Sequence, residues 1–103
     1  MRIPGYAKRS AREGLRKRAI LPPSRRFGLD KGEAETIGIN SGVERARQII
    51  RNDYLHSDDI MSMAAFYQRF RNCRTPKCEG AMLLWGGRKF LREKVVPEAK
   101  RLR

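Results

Sequence analysis

Apolar residues recur at helical spacing through much of this chain, and strand-type alternation is absent over any useful length. The clearest pattern covers residues 58–71, where Ile60, Met63, Ala64, Tyr67 and Phe70 follow the helical period. Ser57 stands where a cap belongs, and Asp58 and Asp59 sit where the helix dipole favours negative charge. Residues 41–51 open with Ser41-Gly42-Val43-Glu44, a capping box in which hydroxyl and carboxylate each take one orphan N–H. Val43, Ala46, Ile49 and Ile50 then make one apolar face, with Arg45, Arg47 and Arg51 on other faces. A short helix over residues 30–37 is signalled by Asp30 as cap, Glu33 three positions on and Gly38 as stop. Cys73 to Cys78 reads as a loop turning at Pro76. A last helix begins near Glu79, is weakened or kinked at Gly86-Gly87, resumes its apolar face at Phe90 and Leu91, and breaks at Pro97.

The N-terminal residues give a weaker pattern. Ala7, Ala11 and Leu15 form a thin apolar stripe beside Lys8, Arg12 and Arg16, Gly14 lowers helix propensity, and Pro22-Pro23 ends the segment. Ser24 to Gly28 reads as extended chain. The expected organisation is therefore a basic N-terminal arm at residues 1–29, a helical domain at 30–96 and a basic C-terminal tail at 97–103. The expected fold class is all-α: a small bundle of three to four short helices with basic extensions. Its core is expected to hold Val43, Ile49, Ile50, Ile60, Met63, Tyr67, Phe70, Leu84 and Trp85.

Charge sharpens this picture. The formal net charge is +13 on 103 residues, distributed as +8 over residues 1–26, −3 over 27–60 and +8 over 61–103. Such a chain repels itself unless an anion compensates it, which points to a polyanion as partner. The length suits one domain with a thin core. No apolar run approaches the ~20 residues of a membrane span, and Met1 to Ser10 has no apolar run of a signal peptide, so a soluble protein without a membrane partner is expected.

The candidate chemistry follows from the cations. Lys8, Arg9, Arg12, Arg16, Lys17, Arg18, Arg25, Arg26, Arg88, Lys89, Lys100 and Arg101 are the expected nucleic-acid or polyanion contacts. They would neutralise phosphates and release counterions without reading sequence. Arg25 and Arg26 beside Phe27 resemble a phosphate-and-stacking patch. The rival readings are docking on an acidic protein surface and plain solvation. A helix-turn-helix over 41–71 is disfavoured, because the second helix would aim Asp58 and Asp59 at phosphates; Arg69, Arg71, Arg74 and Lys77 at its other end suit nucleic acid better. Phe27, Trp85 and Phe90 are the candidate partner-binding aromatics, with a core role for Trp85 as the plainer reading. Cys73, Cys78 and His56 are too few for a zinc site, so no metal is expected, and two reduced, packed thiols are favoured over a disulfide across the Pro76 turn. No nucleophile–base spacing and no phosphate-binding Gly loop is present, so no catalysis and no cofactor is expected.

Three phrases taken together carry a resemblance: Ser41-Gly42-Val43-Glu44-Arg45-Ala46-Arg47, the Ile60 to Phe70 helix, and Leu83-Leu84-Trp85-Gly86-Gly87. The set resembles a small segment of bacteriophage and large-virus proteins of poorly defined function, over about residues 36 to 90. The chain departs from it at Cys73–Cys78 and in both basic ends. The resemblance implies a viral origin and no catalytic residues. The expected function is a non-enzymatic, virion-associated basic protein, in the virion or infected-cell cytoplasm, that binds nucleic acid non-specifically while docking on a protein partner. The alternative is a protein-binding factor without a nucleic-acid role: a capsid cement or minor structural protein, or an inhibitor of a host complex such as RNA polymerase.

Overall fold

The computed structural model describes residues 1–28 and 42–103. Among the described residues the protein is an all-α bundle of five helices without strands. They are α1 (Gly5–Ile20), α2 (Gly42–Arg51), α3 (Ser57–Phe70), α4 (Pro76–Leu84) and α5, which runs over residues 88–102. The expected helix at 30–37 and the Ser41 cap lie outside the described residues. α1 packs on α2 and α4, and α3 packs on α5.

The N-terminal segment is no arm. Ala7, Ala11 and Gly14 are buried on one face of α1, and Ile3 joins the same core. Small side chains at this spacing let helices approach closely, so a stripe of low hydropathy still packs tightly. The chain before α1 is tied down as well. The Ile3 N–H donates to the Asp53 carbonyl at 2.8 Å, the Leu55 N–H to the Met1 carbonyl at 2.8 Å, and the N-terminal ammonium to the Leu55 carbonyl at 2.9 Å. After α1 a single 3-10 turn, Pro23–Arg25, leads to Phe27, whose ring is buried where an extended segment was expected.

The C-terminal tail is also part of the bundle. Pro97 does not end the helix, because the preceding turn, Leu91–Val95, is a π turn in which the Val96 N–H donates five residues back to the Leu91 carbonyl. Widening the helix just before Pro97 accommodates a residue that has no N–H and whose ring would strike the carbonyl of a regular turn. The helix continues as Val96–Leu102 and buries Ala99.

Three boundaries differ from the sequence reading. α4 starts at Pro76: the Thr75 hydroxyl accepts from the Cys78 N–H at 3.2 Å, and Pro76 occupies the first turn, where its missing N–H costs nothing. Gly86-Gly87 separates two helices instead of kinking one. Both glycines have positive φ, 101° and 93°, and the Gly87 N–H closes the end of α4 on the Met82 carbonyl at 2.8 Å. His56, and not Ser57, is the cap residue of α3. In the core, Val43, Ile49, Ile60, Met63, Leu84 and Trp85 are buried as expected, Ile50 and Tyr67 are partly buried, and Phe70 is exposed at the end of α3.

Candidate nucleic-acid interface

The stripe Ala7, Ala11, Gly14 turns the opposite side of α1 to solvent, and Arg9, Arg12 and Arg16 are exposed along that side. Spacings of three and four residues place these guanidinium groups on one ridge roughly 10 Å long. Arg16 is partly neutralised by a two-point contact with Glu13, which also lies 3.8 Å from Lys17. The hydrogen bond from Arg16 holds the Glu13 carboxyl below its ordinary range. Among the described residues Arg9 and Arg12 make no such pair.

The acids are too few to match the cations, 11 against 24, and several are already engaged. Glu44 pairs with Arg47, Asp59 with Arg45, Glu79 with Arg88 and Arg74, Glu93 with Arg92, and Glu98 with Arg101. Hydrogen bonds from Arg88 and Arg101 lower the pKa of Glu79 and Glu98 respectively.

Not every expected contact residue is available to a ligand. Lys8 reaches the C-terminal end of α2, where its ammonium donates to the carbonyls of Ile49 (2.8 Å), Ile50 (3.1 Å) and Asn52. A cation there offsets the negative end of the helix dipole. Arg18 Nε donates to the Phe27 carbonyl at 2.9 Å, and Arg26 Nε to that of Leu21 at 3.1 Å. Arg88 bridges the carbonyls of Arg71 (2.8 Å) and Cys73 (2.6 Å) while pairing with Glu79. Lys8, Arg18 and Arg88 are thus half-buried and engaged in the fold, whereas Arg26 remains exposed beside its turn. Lys89 lies 5.0 Å over the Tyr6 ring, and Arg25, Lys100 and Arg101 are exposed.

The two basic ends meet in space. Tyr6 of α1 contacts Phe90 of α5 edge to face at 6.4 Å, and the Ser10 hydroxyl lies against Gly87. Burial, followed by the charge of Glu93, raises the Tyr6 pKa. Further along α5 the N-terminal ammonium contributes to the lowered pKa of Glu98. Residues 1–10 therefore run beside α5, which puts cations separated by some 80 positions of sequence on neighbouring elements.

The partner-binding aromatics are not at the surface. Phe27, Trp85 and Phe90 are all buried, so none of them projects from the surface as an anchor or a stacking platform. Trp85 stacks on Phe66 at 4.3 Å with the planes 10° apart, and Phe66 in turn contacts Phe70 at 5.2 Å. The column emerges at Phe70, with the Arg69 guanidinium 5.7 Å over its ring. Arg71 and Arg74 follow, both exposed.

At the other end of the column, Arg45 is buried instead of facing solvent. Its guanidinium lies 5.1 Å over Trp85 and donates to Asp59 at 2.7 Å and to Gln48 at 2.6 Å. Partial desolvation pushes the Asp59 carboxyl up, but hydrogen bonds from Arg45, Gln48 and the His56 N–H outweigh it and the net shift is downward. Asp59 thus fixes the start of α3 and anchors a buried cation at once. Sequence reasoning identified only its capping role, because nothing local shows that Arg45 turns inward.

Cys73 and Cys78 form a disulfide with Cα atoms 5.9 Å apart, not two reduced thiols. The helical start at Pro76 places the two sulfurs together. His56 is on another element, and among the described residues no group of three or more His, Cys, Asp or Glu is arranged to hold a metal. No helix among them is long and apolar enough to cross a membrane.

Sequence reasoning also missed an apolar groove at the end of α1. Its signal was Ile20, which is 71% exposed on the otherwise cationic side of the helix. Compared with protein families, curated proteins and solved structures, the chain finds no match.

Proposed function

We propose that this protein binds nucleic acid non-specifically, as a non-catalytic phosphate-neutralising module. The observation that carries the reading is the exposed Arg9–Arg12–Arg16 ridge of α1 on a fold whose basic ends lie side by side. A rigid helix presents these cations at fixed spacing, so less side-chain and backbone freedom is lost on binding than with a disordered tail. The binding free energy would come mainly from counterion release, which is indifferent to base sequence. Exposed Phe70 beside Arg69, Arg71 and Arg74 offers a secondary surface on which an unpaired base can stack. A virion interior, where genome and capsid lie together, is the setting that the sequence resemblance suggests for such a protein.

The test is duplex binding across ~50 to ~300 mM salt with a random-sequence 30-mer. A straight fall of log affinity with log salt is expected, with a slope worth several phosphates. Arg9→Gln with Arg12→Gln should lower the slope by about 2 and leave thermal stability unchanged, since among the described residues neither side chain is held by a hydrogen bond or ion pair. Lys8→Met should instead cost about 2 kcal/mol of stability, because three carbonyls lose a charged donor. A salt-independent affinity, or a slope untouched by the double substitution, refutes the reading.

A further inference from the structure

We propose that the groove between the C-terminal end of α1 and the N-terminal half of α4 docks an acidic amphipathic helix from a protein partner. This goes beyond nucleic-acid binding and uses an apolar surface that lies off the Arg9–Arg12–Arg16 ridge.

The groove follows from how the two helices cross. They approach closely where Gly14 lies against Leu83 and Leu84. Towards Ile20 on one helix and Pro76 on the other they leave a wedge, whose floor is the Phe27 ring seated on Gly80. The open space has a volume of about 890 Å³, at the upper end of the ~300–1,000 Å³ of ligand clefts. Ile20, Leu21, Pro76 and Leu83 line it with aliphatic surface. The wall is rigid, because the Cys73–Cys78 disulfide closes the turn that feeds Thr75, Pro76 and Lys77. A preformed wall reduces the ordering cost of binding.

Charge selects the occupant. Lys17, Arg25 and Lys77 stand around this apolar floor, and Glu79, the acid among the described lining residues, is held by Arg88. Apolar floor and cationic rim together fit a segment with Leu or Phe anchors on one face and Asp or Glu on its flanks. The exposed surface of the groove is mostly apolar, which argues against nucleic acid as its occupant. From Gly14 to Ile20 the helix rises about 9 Å, enough to seat roughly two turns of a partner helix.

The experiment is an amide NMR titration of the whole protein, disulfide intact. The probe is a synthetic peptide of about 14 residues with Leu and Phe at helical i, i+3, i+4 and i+7 positions and Glu or Asp elsewhere. A scrambled peptide of equal composition and decanoate serve as comparisons. The expected result is saturable shifts at Ile20, Leu21, Phe27 and Lys77, with the scrambled peptide at least tenfold weaker. Ile20→Gln and Lys77→Glu, both at exposed positions, should each weaken the peptide about tenfold. Ile20→Gln should leave duplex affinity and its salt slope unchanged, which separates this site from the α1 ridge. Absence of shifts at these residues overturns the proposal. So does equal binding of the scrambled peptide, which would reduce the effect to net charge, or occupation of the groove by decanoate alone, which would assign it to an amphiphile.

Discussion

Replacing Gly80 by alanine sets two effects of opposite sign against each other. Within a helix, Gly→Ala gains about 1 kcal/mol through backbone entropy. Here the added Cβ would lie 2.2 Å from Phe27 Cδ1, 2.3 Å from Cγ and 2.5 Å from Cε1. An aromatic ring cannot flex away at one atom, so the whole Phe27 side chain must withdraw by roughly 1 Å or more to regain ordinary contact. Phe27 is only 5% exposed, and overpacking of such a site costs about 1–3 kcal/mol. The net expectation for Gly80→Ala is therefore a loss of up to about 2 kcal/mol, with a fall in melting temperature of about 4–8 °C per kcal/mol. In a Phe27→Ala background the clash is gone, and the same substitution should stabilise by about 1 kcal/mol. The coupling between the two positions is then about 1–3 kcal/mol, the overpacking cost itself. Urea and thermal unfolding of the four proteins of this cycle measure it directly. If Gly80→Ala stabilises the unaltered protein, Phe27 is not seated on α4, and the segment after Pro22-Pro23 is not docked as described.

Three further outcomes follow from the same contacts. Arg45→Met should cost about 3 kcal/mol, read by urea unfolding, since it leaves the partly buried Asp59 carboxylate without its cation. Asp59 has a lowered folded-state pKa, so its contribution to stability is full above the unfolded value near 3.9 and fades as pH falls through the folded value; Asp59→Asn should flatten that acid limb of the stability profile. Replacing both Cys73 and Cys78 by serine, or adding dithiothreitol, should remove about 2 kcal/mol, the loop-closure term for a ring this short, and an unchanged melting temperature would show the pair unbonded in solution.

Much of the architecture was legible because helical periodicity is local. The faces of α2 and α3 are written in Val43, Ala46, Ile49 and in Ile60, Met63, Ala64, and a period near 3.6 leaves them one way to pack. Other readings failed at positions where local rules conflict with packing. A stripe of Ala7, Ala11 and Gly14 scores as weakly apolar, yet small residues are what permit α1 to lie against α2 and α4. Pro97 reads as a stop, yet a π turn one step earlier accommodates it. Thr75-Pro76 held the start of α4 in plain view, as a cap followed by a residue suited to the first turn.

The candidate site divides in the same way. Sequence alone determined the net charge of +13, its concentration at both ends and the all-α class, because these depend on composition and on short-range spacing. Only the tertiary structure decided which cations remain available. Lys8, Arg18 and Arg88 resemble Arg9 and Arg12 in sequence, but each is half-buried and donates to main-chain carbonyls of another segment. Arg45 is buried over Trp85, and Phe27 forms the floor of a groove instead of a stacking surface. The physical reason is that a cation's role depends on which acceptors and rings surround it, and those neighbours are brought together only when helices far apart in the chain pack.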